Sequence, residues 1–185
     1  MKKLILCMIM MATLFIFVAC NEKKNEQLTQ VETVLNFDKI IKTDSTKIAE
    51  KYGVIHFYEA QAIFDKFVDE VEDSIVITEL TTVFQALNAD TCIIIQHAIN
   101  TAPIVNEVHN YWVGNLPAKA TPTIGFKQAF TMLKEANIRQ PHTKLMTYRR
   151  PDQPPFDKEA SYVFGSHKGN HFVKVNSETG EIKEF

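Results

Sequence analysis

The sequence predicts an α+β protein with a mainly helical N-terminal half, followed by one helix and an antiparallel β-sheet. Three observations support this. Apolar residues recur at helical spacing between residues 58 and 113, and apolar and polar residues alternate after residue 145. Pro and Gly interrupt the chain between these parts. With 185 residues, the chain is long enough to bury a hydrophobic core as one domain or two small ones.

The first nineteen residues have the features of a signal peptide. Lys2 and Lys3 give a short positive start, and residues 4–19 carry no charge. This uncharged stretch is short for a membrane span, which needs about 20 apolar residues. It ends in Phe-Val-Ala-Cys at 17–20, and the polar stretch 21–26 follows directly. We therefore expect the segment to be removed from the mature protein.

The sequence around Cys20 resembles the lipobox of bacterial lipoproteins, in which a peptidase cuts before a cysteine whose thiol has been acylated. Phe17 departs from the leucine usual at that position. The resemblance implies a lipid on Cys20 and a stable membrane anchor, because such proteins carry more than one acyl chain. Asn21 resembles the pattern sorted to the outer membrane, on its periplasmic or its surface face. The alternatives are a secretory peptide cut near Ala19 and a retained span.

Charge and cysteine content narrow the classes of partner. Removal of the two N-terminal lysines changes the formal charge from −2 to −4, and a mildly acidic protein lacks the basic face of a nucleic-acid binder. We expect no nucleic-acid partner. Because Cys7 leaves with the signal peptide and Cys20 is lipidated, only Cys92 remains, and no internal disulfide can form. Its apolar neighbours predict a buried, inert thiol.

We divide the chain into four predicted parts. These are a signal peptide at 1–19, the lipidated cysteine and a flexible tether at 20–36, a mainly helical subdomain at 37–116, and an α+β subdomain at 117–185. The tether is polar and has no Gly or Pro. Gly114, Pro117 and Pro122 mark the boundary between the subdomains, which could instead be a seam within a single fold.

Three apolar stripes predict the helices of the first subdomain. The stripes are Ile63, Phe64, Phe67, Val68 and Val71; Leu80, Val83, Phe84 and Leu87; and Ile104, Val105, Val108, Tyr111 and Trp112. Each recurs at the spacing of one helix face. Pro103 suits the first turn of the third helix. The Cys-Ile-Ile-Ile stretch at 92–95 fits either a buried strand or part of a buried helix.

The second subdomain begins with a predicted helix and continues as a meander. Thr123 is the predicted N-cap of the helix, and Asn137 is predicted to end it in the left-handed backbone conformation. The predicted buried stripe consists of Phe126, Ala129, Phe130, Leu133 and Ala136. Strands are predicted at 145–148, 162–164, 172–175 and 182–185, with turns at 166–170 and 177–180. The proline-rich stretch 149–155 cannot continue a central strand, because proline lacks the ladder donor.

Three segments of this half together resemble the PepSY family of small secreted bacterial domains. They are FKQAFTML at 126–133, YVF at 162–164 and FVKVNSETGEI at 172–182, the last like the family's closing strand, turn and strand. Gly180 supplies the positive backbone angle of that turn. The resemblance covers about residues 120–185, and the insertion at 151–155 and the single copy depart from it. It implies binding in the cell envelope, including restraint of peptidases, with no catalytic residue to carry over.

The histidines are the main candidates for metal or catalytic chemistry. His167 and His171 could face each other across a hairpin, but a zinc site normally needs three or four ligands, and an exposed hairpin tip explains them more simply. His56 and His109 stand alone. His97 could form a dyad with Cys92, although packing explains both better. No hydrolase, P-loop or zinc-protease motif is present. We expect no enzymatic activity, metal or cofactor.

Two pairs of residues are candidates for contact with a partner. Tyr111 and Trp112 are aromatic residues of the kind found at interfaces, although they could equally fill a core. Arg149 and Arg150 could hold an acidic partner or lie in a solvated loop. We predict a non-catalytic module that binds a protein or peptide through these residues and the open edge of the C-terminal sheet. The alternative is a small hydrolase or metal-dependent enzyme that uses His and carboxylate groups.

Overall fold

The computed structural model describes residues 34–151, 158–165 and 171–185, which contain two α-helices and one sheet of nine strands. In chain order the elements are α1 (Phe37–Tyr52), β1 (Ile55–Phe64), a 3-10 helix (Val68–Glu70), β2 (Ile77–Ala86), β3 (Thr91–Ala98), β4 (Ile104–Val108), β5 (Asn115–Leu116), α2 (Phe126–Glu135), β6 (Leu145–Pro151), β7 (Ser161–Phe164), β8 (Val173–Asn176) and β9 (Ile182–Glu184). Every pairing is antiparallel, in the order β4-β3-β2-β1-β6-β7-β8-β9, and β5 pairs with β6.

The predicted fold class is therefore wrong for the N-terminal half, which is mostly β-sheet. The first predicted helix is the end of β1 followed by the 3-10 helix. In β1 the core-facing residues include Ala60 and Ala62, whose small side chains contribute little to an apolar pattern. A register shift between Phe57 and Glu59 also interrupts the alternation. A strand with small inward residues and a bulge does not show the two-residue period.

The second and third predicted helices are β2 and β4, and each lacks alternation for its own reason. The last five residues of β2 are all buried, so both faces of the strand are covered there. All five residues of β4 are exposed, because this strand lies at one end of the sheet. The ambiguous stretch at 92–95 belongs to β3. Burial on both faces or on neither removes the two-residue pattern of a half-buried strand.

The second subdomain follows its predicted elements closely. The α2 stripe is buried at Phe126, Ala129, Phe130 and Leu133, and the four predicted strands are present as β6 to β9. Gly180 has φ +74°, as the turn requires, and an added Cβ would collide with the side chain of Met132. These predictions are confirmed. The turn predicted at 166–170 lies outside the described residues.

Three details of that half differ from prediction. The N-cap of α2 is Gly125, whereas the Thr123 hydroxyl donates to Glu178 at 2.7 Å. The helix ends at Glu135, its C-cap Ala136 has φ −65°, and Asn137 is not left-handed. Strand β6 continues through both arginines to Pro151, which is tolerated because it is the terminal residue of the strand.

Both helices cover the same face of the sheet, the inner face, through a cluster of aromatic side chains. Its members are Phe37, Phe57, Phe64, Phe126, Phe130, Tyr148, Tyr162 and Phe164. The Tyr148 and Tyr162 ring centroids are 4.8 Å apart. Their hydroxyls donate to the carbonyls of Lys119 at 3.0 Å and Ile124 at 2.8 Å. Burial raises the pKa of both tyrosines, that of Tyr148 to about 12, so the hydroxyls stay protonated as donors.

The predicted boundary near residues 114–117 does not interrupt the sheet. Strand β1 pairs with β2 on one side and with β6 on the other, and the described residues from Val34 onward belong to one compact unit. That unit includes Leu35, which is buried, and Asn36, whose side chain accepts from the Lys39 N–H to cap α1. Neither helix within the described ranges is long and apolar enough to span a membrane.

A side chain of α1 also caps α2. The Phe126 N–H donates to both carboxylate oxygens of Asp38, at 3.2 and 3.1 Å. Gly125 leaves room for this contact, since a Cβ there would lie 2.8 Å from an Asp38 oxygen. Burial raises the pKa of Asp38, and the Phe126 hydrogen bond opposes that shift. The carboxylate thus takes the place of the capping side chain that Gly125 lacks.

We expect Asp38→Ala to lower the free energy of unfolding by about 1–2 kcal/mol, because it removes the cap of α2. Asp38→Asn keeps an oxygen acceptor and should lose less. Denaturant unfolding followed by circular dichroism measures both, with exposed Asp73→Ala as a control that should change little. Equal losses for the Ala and Asn variants would contradict a capping role.

Candidate functional site

Residues 109–118, the return segment, carry the chain from the edge strand β4 back to the middle of the sheet. The Trp112 N–H donates to Gln85 Oε1 on β2 at 3.1 Å. Because Phe84 faces the core, its neighbour Gln85 faces the opposite side, the outer face. Further along, β5 pairs with β6, and Ala118 forms a bridge with Phe57 of β1. The return segment therefore crosses the outer face and then joins the sheet at β1 and β6.

Polar side chains collect where the return segment meets the sheet. We call Glu59, Gln85, Trp112, Asn115, Arg149 and Ser161 the polar cluster. Asn115 Nδ2 donates to Glu59 Oε2 at 2.5 Å. Glu59 is opposite Arg149 on β6, and Arg149 is opposite Ser161 on β7. Residues directly opposite each other have Cβ atoms about 5 Å apart, so these three side chains form one row.

Hydrogen bonding within the polar cluster is incomplete. Five buried atoms have no partner among the described residues: Gln85 Nε2, Trp112 Nε1, Asn115 Oδ1, Arg149 Nε and Ser161 Oγ. Buried polar atoms are nearly always paired, so such a concentration is unusual. Three of the five are N–H donors, which a carbonyl or carboxylate oxygen would complement. Chemically, the cluster is suited to hold polar groups rather than to activate a nucleophile.

The structure brings two of the four predicted contact residues together. Trp112 and Arg149 both belong to the polar cluster, where each is partly buried. Arg150 is also partly buried and pairs with Leu116 of β5, so both arginines lie in a strand and not in a loop. Tyr111 is exposed, and its hydroxyl donates to Asp90. Of the four, Tyr111 presents the most side-chain surface to a partner.

The edge strand β4 is a candidate surface that the sequence did not reveal. Ile104, Val105 and Val108 are 60%, 54% and 48% exposed, and Val113 of the return segment is 82% exposed. In the part of the chain that the structure describes, β4 pairs with a strand on one side only. Soluble proteins usually protect such edges with charge or proline, because their free backbone groups accept another strand.

The single charge of β4 is neutralised from within the molecule. Glu107 is its only ionisable residue, and one of its carboxylate oxygens lies 2.7 Å from Lys51 Nζ. The hydrogen bond from Lys51 lowers the pKa of Glu107, so the carboxylate stays ionised beside its counter-ion. The opposite edge, β9, has only three residues, and two of them are Lys183 and Glu184. Strand β4 is therefore the longer and more apolar edge.

The described histidines lie in separate environments. His109 contacts the Thr91 hydroxyl at 3.1 Å, and His171 donates to the Arg139 carbonyl at 2.8 Å. His97 Nε2 lies 2.8 Å from Asp44 Oδ2. Across residues 34–151, 158–165 and 171–185, no three His, Cys, Asp or Glu side chains are placed to hold a metal ion. His167 lies outside these ranges.

Cys92 and His97 do not form a dyad. They are five residues apart on β3, and side chains an odd number of positions apart lie on opposite faces of a strand. Cys92 is buried, and burial raises the pKa of its thiol, so the thiolate is disfavoured. His97 instead meets Asp44 of α1, which also accepts from the Thr82 hydroxyl at 2.9 Å. This buried network joins α1 to β2 and β3.

A depression lies along α2, with a volume of about 560 Å³. Its lining includes Asp38, Lys127, Met132 and Glu135. Because Asp38 already caps the helix and charges of both signs surround the depression, it has no feature that selects a ligand.

The chain matches no protein-family model, no curated protein and no solved structure. The lipobox and PepSY resemblances therefore stay predictions, and Cys20 lies outside the described residues.

We expect His97→Ala to lower the free energy of unfolding by about 3 kcal/mol, because it leaves the Asp44 carboxylate buried without its main partner. Chemical denaturation measures this loss. The control is Asp69→Ala, which breaks an exposed 3.1 Å pair with His142 and leaves the stacking of His142 on Phe67 in place, so it should cost less than about 1 kcal/mol. Similar losses for the two variants would contradict a structural role for the buried network.

The incomplete hydrogen bonding of the polar cluster predicts a contrast between two buried serines. Ser177 Oγ donates to the Ala160 carbonyl at 2.8 Å, so Ser177→Ala should cost about 1 kcal/mol. Ser161→Ala removes a hydroxyl that has no partner among the residues the structure describes, and it should leave stability unchanged or slightly higher. Thermal unfolding of both variants tests this. A larger loss for Ser161→Ala would show that its hydroxyl is bonded.

Proposed function

We propose that this protein is a non-catalytic binding module of the cell envelope, held on the outer membrane by a lipid on Cys20. Its contact surface is β4, which takes an extended polypeptide segment as an additional strand. The observation that carries this proposal is the exposure of all five β4 residues, together with pairing on one side only within the described ranges. Addition of a strand to an open edge is a recurring mode of peptide recognition.

The chemistry of β4 supports a polypeptide partner. Its outward backbone N–H and C=O groups can form a ladder with any extended chain, and this ladder supplies affinity. Ile104 and Val108 lie on one face and Val105 on the other, so alternate apolar side chains of a partner would gain contacts on both. Exposed Tyr111 and Val113 extend the apolar surface at the start of the return segment.

The other candidate residues have supporting roles in this proposal. Trp112 fixes the return segment to β2 through Gln85, and Arg149 belongs to the polar cluster. We therefore assign partner contact to Tyr111 and β4, and maintenance of the surface to Trp112, Arg149 and Arg150. The PepSY resemblance also favours a polypeptide over a small molecule, and a restrained peptidase is one such partner.

Site-specific photo-crosslinking in intact cells tests the proposal. A photoreactive amino acid at Val105 should form adducts with polypeptide, because the position lies on the open edge. The same amino acid at Lys183, on the charged edge β9, is the matched control and should form few adducts. Equal yields at the two positions, or no adduct at Val105, would contradict the assignment of β4.

The anchor is tested separately by mass spectrometry of the mature N-terminal peptide. The expected result is a diacylated or triacylated cysteine at position 20. An unmodified thiol there would refute membrane attachment through lipid and would leave the test of β4 unaffected.

A further inference from the structure

We propose that the strand accepted by β4 is β4 of a second copy of this chain, so that two molecules form a two-fold symmetric dimer with one continuous sheet. This inference rests on the proposed function, since it names the polypeptide that occupies the same edge. A two-fold interface uses the same patch on both copies, so the patch must complement itself. An antiparallel pair of identical strands meets that requirement if its register suits the side chains.

The sequence of β4 is self-complementary about Asn106. In a register centred there, Ile104 lies opposite the partner's Val108, and Val108 lies opposite the partner's Ile104. These apolar cross-strand pairs are stabilising. Asn106 lies opposite the partner's Asn106, and a carboxamide can both donate to and accept from its equivalent. All five residues of the strand are paired in this register.

The neighbouring registers are less favourable. A register centred on Glu107 places two carboxylates directly opposite each other, which is destabilising. A register centred on Val105 brings Pro103 into the ladder, where it has no N–H to donate, and places Val108 opposite Ala102, outside the strand. Only the register centred on Asn106 avoids both problems and keeps the full overlap.

Charge does not oppose this pairing. Glu107 is neutralised by Lys51 of its own molecule and lies opposite the partner's Val105 in the proposed register. The other edge, with Lys183 and Glu184, lacks a comparable apolar pairing. If both copies are anchored in one membrane, their confinement raises their effective concentration, which favours an interface as small as one strand pair.

Cysteine cross-linking in intact envelopes tests the register with the full chain. Asn106→Cys should form a disulfide-linked dimer on mild oxidation, because directly opposite residues have Cα atoms about 4.5–5.5 Å apart, within disulfide range. The Lys183→Cys variant on β9 is the matched control and should stay unlinked. Mass spectrometry must map the link to residue 106 in both chains, which separates it from any link at another cysteine.

A second pair of variants checks the register independently. When expressed alone, the Val105→Cys chain and the Glu107→Cys chain should each cross-link poorly. When the two chains are co-expressed they should cross-link well, because position 105 of one copy lies opposite position 107 of the other. Adding Ile104→Lys to the Asn106→Cys chain should lower the linked fraction at least about tenfold, because it places a charge opposite the partner's Val108. Circular dichroism of each variant confirms that the fold is intact.

The outcomes separate this inference from the proposed function. If Asn106→Cys stays monomeric while a photoreactive group at Val105 captures a different polypeptide, the dimer is refuted and the binding function of β4 stands. If Asn106→Cys cross-links and the Val105 adduct has twice the mass of the chain, both are supported. If neither reaction gives an adduct, both are refuted.

Discussion

The position of β1 in the middle of the sheet constrains the rest of the molecule. Strands β2, β3 and β4 extend the sheet in one direction, and β6 to β9 extend it in the other. The chain must therefore return from the β4 edge to the centre before β6 can form. Because the two helices occupy the inner face, the return segment crosses the outer face, as the contact between Trp112 and Gln85 shows. The outer face is covered at these strands as a result, and β4 remains at the end of the sheet.

The polar cluster forms because the return segment covers part of the outer face. Glu59, Gln85 and Arg149 occupy outer-face positions, which in a sheet with one wet face are polar. The return segment then covers them and contributes hydrogen bonds from Trp112 to Gln85 and from Asn115 to Glu59. Among the described residues, five buried atoms of the cluster have no partner, whereas both buried tyrosine hydroxyls of the aromatic core on the inner face have acceptors. The two faces thus differ in how completely their buried polar groups are paired.

The C-terminal half was predictable because its signals are local. Val173, Lys174 and Val175 alternate, and Gly180 marks a turn that needs positive φ. In the N-terminal half the determining interactions join distant residues. The cap of α2 comes from Asp38, 88 positions away, and the buried partner of His97 is Asp44, 53 positions away. Trp112 and Arg149 could be singled out by residue type, but only strand pairing across the sheet shows that they share a cluster.

If the protein carries the proposed lipid on Cys20, the burial of Leu35 and the capping of α1 by Asn36 set how far the folded unit can stand from the membrane. Fourteen residues, 21–34, then lie between the anchor and the first core side chain, a distance of 15 Cα–Cα steps. Fully extended, that stretch spans about 50 Å, comparable to the thickness of the bilayer with its headgroups. The domain would therefore sample only a thin layer next to the lipid surface. Whatever it meets must itself reside in, or come close to, that layer.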